Sequence, residues 1–206
     1  FDDFWRKAQA AGLAVESIAD SNREKFAGLG LDERELQGLA LFNTKGKCSN
    51  CHSFKSEKGK APVFTDFTYD NLGIPKNPEN PFYIMPKEYN PAGQNWVDKG
   101  LGGFLEGSAK YASLASANVG KHKVPTLRNV DLRPGPDFVK AYMHNGFFKD
   151  LKAVVHFYNT RDIASEKWPA PEISANLNAA DLGNLALSAE DEAAVVLFLK
   201  TLSDRP

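Results

Sequence analysis

Residues 48–52 read Cys48-Ser49-Asn50-Cys51-His52, a C-x-x-C-H pattern from which the rest of the chain is best read. In one turn of helix, two sulfurs three positions apart lie on the same side. There they can form thioether bonds to the two vinyl groups of one porphyrin, while the next residue turns its imidazole onto the iron. The pattern predicts one covalently bound c-type haem, with Cys48 and Cys51 as anchors and His52 as the proximal iron ligand. Other uses of two cysteines fit less well. The chain has no third cysteine, so a zinc ribbon lacks its second pair, and His122, His144 and His156 do not make an H-x(3–5)-H clamp. A thioredoxin-like pair belongs in a βαβ setting, which this sequence does not offer. A disulfide between residues so close closes too short a loop to stabilise much.

Immediately upstream, Leu36, Leu39, Ala40, Leu41 and Phe42 recur at three- and four-residue spacings, with Asp32 as N-cap and Gly46 past the end. This predicts an amphipathic helix from Asp32 to Lys45. Residues 1–30 carry two weaker helical patterns, one around Phe4, Trp5, Ala8 and Ala11, the other around Val15, Ile18 and Phe26, separated near Gly12. They read as an entry segment or interdomain remnant, with residues 31–206 as the haem domain. Downstream, nine of the twelve prolines fall between Pro62 and Pro136, which excludes long helices there. A stretch so poor in regular structure needs another surface to pack on, and a porphyrin supplies one. Helical periodicity returns at Leu151, Val154, Val155 and Tyr158 and again at Val195, Phe198, Leu199 and Leu202. Ser188 and Asp191 form a capping box for the last helix. Trp168 to Gly183, rich in Pro and Asn, reads as an ordered loop.

The composition agrees with a folded domain: 42% hydrophobic and 25% charged residues suffice for a core. A net charge of −1 gives no reason to expect nucleic acid as the main partner. No apolar run is long enough to span a bilayer. Haem attachment of this kind occurs outside the bacterial cytoplasm, which points to the periplasm. Lys45, Lys47, Lys55, Lys58 and Lys60 surround the haem motif, either as solvated surface or as a patch that steers an acidic redox partner.

The second axial position decides between electron transfer and ligand chemistry. Met85 and Met143 are the only methionines. Met143, in a short segment before a Gly turn, is the better placed, and Met85 reads as a hydrophobic contact. His122, between two lysines, reads as solvated, and His156 as a packing or surface residue of its helix. A histidine in the Met143 position, His144 or His122, would make a sensor of small ligands.

Several segments resemble the bacterial di-haem cytochrome c peroxidase and MauG family, and within it the C-terminal haem domain. They are GLALFNTKGKCSNCHS (38–53), FTDFTYDNLGIPKNPENPFY (64–83), the stretch 123–162 containing VPTLRN and YMHNG, and LGNLALSAEDEAAVVLFLKTLSD (182–204). The resemblance implies a mainly α-helical, cytochrome c-like fold with long Pro/Gly-rich loops. It also implies a high-potential haem that transfers electrons, with Met143 as distal ligand. MauG-type members place a tyrosine there, which draws attention to Tyr142. The family's peroxidatic haem sits on an N-terminal domain with its own C-x-x-C-H, and this chain carries no second copy. Two readings follow: a one-haem electron-transfer protein, or the electron-input half of a peroxide-reducing or MauG-like assembly whose other haem lies on another domain or chain. Arg128 and Asn129 of VPTLRN read as turn-stabilising residues, with pairing to a haem propionate as the alternative. Calcium, which family members bind between domains, is assigned no residues.

Overall fold

The computed structural model describes residues 1–57, 59–135 and 137–204. Lys58 of the lysine cluster and Pro136, the end of the proline run, lie outside the described residues. The architecture is mainly α. Helices α1 (Asp2–Ala10), α2 (Glu33–Asn43), α3 (Gly100–Glu106), α4 (Leu151–Thr160) and α5 (Ala189–Lys200) are joined by long loops. The strands among the described residues, β1 (Tyr69–Asp70) and β2 (His122–Lys123), form one antiparallel pair.

The expected Ser188 capping box forms, and Asp32, expected as an N-cap, makes a second one with Glu35. Asp32 accepts from the Glu35 N–H at 2.8 Å while the Glu35 side chain accepts from the Asp32 N–H at 2.9 Å. Ser188 and Asp191 repeat the exchange at 3.1 Å in each direction. Helices α2 and α5 pack very closely, because position 38 has no side chain: a Cβ on Gly38 would lie 2.0 Å from the Ala194 carbonyl oxygen. Between and around them Phe42, Phe54, Phe64 and Phe198 meet edge to face at centroid separations of 5.2 to 6.1 Å, an arrangement aromatic quadrupoles favour.

The N-terminal patterns resolve differently. The first is α1. The second, around Val15, Ile18 and Phe26, forms only two short 3-10 turns, Val15–Ser17 and Arg23–Phe26, and not an α-helix. Asn22 competes for the backbone there, accepting from the Ala19 N–H and donating to the Ser17 carbonyl. Spacing of three still buries Val15 and Ile18, which join Phe4, Trp5 and Phe26 in the same apolar cluster as Leu39, Phe42 and Phe198.

The loops are ordered by buried asparagines in place of ladders. Asn71 donates to the carbonyls of Ile173 and Ala175 at 2.9 and 2.8 Å, Asn145 to Pro75 at 2.8 Å, and Asn77 to Asn145 at 2.9 Å. Each satisfies main-chain groups that a coil would otherwise bury unpaired. A second apolar cluster, Ile74, Phe148, Phe157 and Leu182, rests on these loops and on α4.

Candidate functional site

Between the two clusters lies a cavity of about 570 Å³. Phe42, Leu151, Val155, Val195 and Leu199 line it from the first cluster, and Ile74, Tyr142, Met143, Val154, Tyr158 and Leu182 from the second. The proline-rich middle contributes Val124, Pro125, Leu127 and Val130. Its size and apolar character are those of a site for a single large ligand.

Cys48, Cys51 and His52 all border this cavity. The turn that presents them follows α2: Cys48–Asn50 is 3-10, and the His52 N–H closes back on the Cys48 carbonyl at 2.9 Å. Burial pushes the Cys48 thiol up to about 12 and the Cys51 thiol to about 11. Neither is poised as the thiolate that a dithiol oxidoreductase needs. The His52 ring is held by its Nδ1, 2.8 Å from the Phe64 carbonyl oxygen. With that nitrogen donating, Nε2 is the unprotonated one, available to a metal. Burial also holds this imidazole below its ordinary value. Phe64 is fully buried with a left-handed backbone, φ 54°, a conformation a bulky residue adopts only when its surroundings impose it. The sequence singled out His52 but not Phe64, because a carbonyl acceptor has no residue type by which to find it.

The two methionines separate cleanly. Met143 lines the cavity and has φ 68°, at the head of a turn in which the Gly146 N–H returns to its carbonyl. Met85 is 40% exposed and does not line it. Tyr142 also lines the cavity, but its hydroxyl donates to the Val130 carbonyl at 3.2 Å.

Arg128 touches the cavity wall, yet its guanidinium donates to the Pro62 carbonyl at 2.8 Å and to Asp2 at 2.5 Å, and stacks near Phe1 and Phe64. Asn129 has φ 60° and exchanges hydrogen bonds with Asp204. Both tie the turn to the chain ends. Of the lysines around the motif, Lys45 pairs with Asp191 at 3.1 Å, Lys47 donates to the Ala180 carbonyl at 2.8 Å and Lys60 pairs with Glu57 at 2.5 Å.

Of the histidines, His156 is the helix packing residue expected and His122 departs from expectation. His156 lies away from the cavity, between Glu192 at 2.9 Å and Glu166 at 3.3 Å. His122 is not solvated as its lysine neighbours suggested: it is half-buried, borders the cavity, and stacks on His144 with ring centroids 3.6 Å apart. Pairing of β2 with β1 sets this placement.

A c-type haem fits these residues: an apolar chamber of adequate volume, two cysteines and one oriented imidazole on its border, and a thioether elsewhere on the lining. No helix among the described residues is long and apolar enough to cross a membrane.

No family model matches the chain. It is similar to the methylamine utilization protein MauG of Paracoccus denitrificans, 34% identical over 194 residues, covering 88% of this chain and 44% of that protein. It is also similar to the cytochrome-c peroxidase IdrP2 of Denitromonas iodatirespirans, 26% identical over 186 residues, covering 88% of this chain and 43% of the relative. The chain thus spans less than half the length of these curated relatives. Among solved structures, a variant of the di-haem peroxidase BthA from Burkholderia thailandensis superposes with a TM-score of 0.62 at 27% identity, over 93% of this chain and 46% of the other. A MauG-like protein associated with microbial copper homeostasis shares the fold with a TM-score of 0.55 at 23% identity, over 92% of this chain and 53% of the other.

Proposed function

The chain belongs to the family of MauG and the bacterial di-haem cytochrome c peroxidases, and from that premise we propose that it is a periplasmic electron-transfer unit built around one covalently held c-type haem. A haem bound here supplies a one-electron iron couple, raised in potential by a thioether ligand. Cys48 and Cys51 anchor the macrocycle, His52 presents Nε2 to the iron, and the Phe64 carbonyl fixes the ring's tautomer and orientation. Met143 offers its sulfur from the lining, while the Tyr142 hydroxyl stays engaged with Val130. The apolar walls exclude water and keep the charge change in a low-dielectric setting. We assign this role to residues 31–206, with residues 1–30 covering the core.

The observation that carries the reading is the convergence of Cys48, Cys51, His52 and Met143 on one apolar cavity. A haem held by both His52 and Met143 would leave peroxide no site on the iron. A redox titration of the haem-loaded chain tests this: one reversible one-electron wave, with negligible peroxide turnover and no carbon monoxide binding to the reduced form, is expected. Rapid peroxide turnover by this chain alone would refute it.

A second reading is favoured by relatives that are named peroxidases and are more than twice as long as the matched region. In it the chain is the electron-input half of a peroxide-reducing or MauG-like assembly, with a second haem domain as partner.

A further inference from the structure

Asp98, His122 and His144 come from three segments: the turn before α3, strand β2 and the turn after Met143. One ligand atom from each lies within 4.8 Å of the other two. The imidazole planes are 6° from parallel. Among the described residues no hydrogen bond reaches a ring nitrogen of His122, and Asp98 forms no ion pair; its carboxylate accepts only from the Gly100 N–H, at 2.9 Å.

A second, independent feature supports the cluster from behind. Glu172, with a side chain only 3% exposed, accepts at one oxygen from Tyr83 and the Asp98 N–H, each at 3.4 Å. Its other oxygen meets His144 Nε2 and Asn145, each at 3.3 Å. One buried carboxylate therefore positions both the Asp98 backbone and the His144 ring, and directs the proton of His144 to Nε2 so that Nδ1 is free. A carboxylate behind a ligating histidine is the common outer partner of metal-bound imidazole. The chain is shaped for this approach: Gly100 has φ 55°, and a Cβ there would lie 2.2 Å from the Lys121 carbonyl oxygen. Only glycine lets the Asp98 turn lie against β2.

We propose that Asp98, His122 and His144 bind a divalent first-row transition ion of the zinc type, at the rim of the main cavity. Two imidazoles and one carboxylate suit such an ion and not Ca²⁺ or Mg²⁺, which take oxygen ligands. Three protein ligands leave one tetrahedral position to water. Two donors on a tetrahedral zinc ion lie about 3.4 Å apart, so closure draws the donor atoms together by up to about 1.4 Å and turns the stacked rings out of parallel until both lone pairs face the ion. Asp98 and His122 also line a second, open depression, which gives the ion an entry path. The site does not depend on the haem reading.

Zn²⁺ titration of the full chain by calorimetry, with Ca²⁺ as comparison, tests the proposal. One saturable Zn²⁺ site per chain is expected, with no Ca²⁺ heat. Asp98→Asn and His122→Ala should each weaken it by at least about tenfold, and Glu172→Gln by about 10- to 100-fold. Absence of a saturable site in the unaltered chain overturns the proposal whatever the variants do. Zn²⁺ held at Cys48 and Cys51 would bind undiminished in both Asp98→Asn and His122→Ala, and would overturn it equally, as would Ca²⁺ binding of equal strength.

Discussion

At the scale of single residues, two backbone strains frame the cavity. Phe64 and Met143 both have positive φ, at 54° and 68°; one turns its carbonyl to His52 and the other lies on the lining. In the haem-loaded protein Met143→Ala should abolish the sulfur-to-iron charge-transfer band and lower the potential, whereas Met85→Ala, at an exposed position, should change neither. The reverse pattern in a spectroelectrochemical titration would reassign the ligand. His156 makes a separate pH prediction. Its hydrogen bond to Glu192 raises its pKa above 6.5, against the opposing effect of burial. A raised folded-state pKa means that the stabilisation is fully present below 6.5 and is lost as pH rises through the folded value. Thermal melts should therefore show the wild type losing its advantage over His156→Gln with increasing pH above that point; parallel pH profiles would refute the coupling. The C-x-x-C-H turn was legible because its residues are adjacent in sequence. Asp98, His122 and His144 were not, because no spacing links residues joined only by β1–β2 pairing and a glycine turn.

Secondary-structure elements were legible where the signal was periodic and capped. Asp32 and Ser188 announced α2 and α5, and both boxes are present. Ser188→Ala should cost about 1 kcal/mol of stability, read by denaturant unfolding; no loss would mean that Asp191 and water cap α5 unaided. Gly38 carried no such signal, since a glycine within a helix reads only as a weak point. Its role is the contact with Ala194, so Gly38→Ala should destabilise by about 2–3 kcal/mol through collision with backbone, despite alanine's better helix propensity. A neutral or stabilising result would show that α2 and α5 separate easily. The pattern at Val15, Ile18 and Phe26 misled because spacing of three serves a 3-10 turn as well as an α-helix.

Over the whole molecule, the proline-rich middle called for a surface to pack on, and its residues do line the cavity between the two apolar clusters. How those loops hold their course could not be read from periodicity, because buried asparagines, not hydrophobic repeats, fix them. The central claim is that this cavity holds one haem between His52 and Met143. The optical spectrum of the purified ferric protein tests it most directly. The account requires c-type haem bands together with the weak long-wavelength sulfur-to-iron charge-transfer band; a high-spin or bis-histidine spectrum without that band would contradict it.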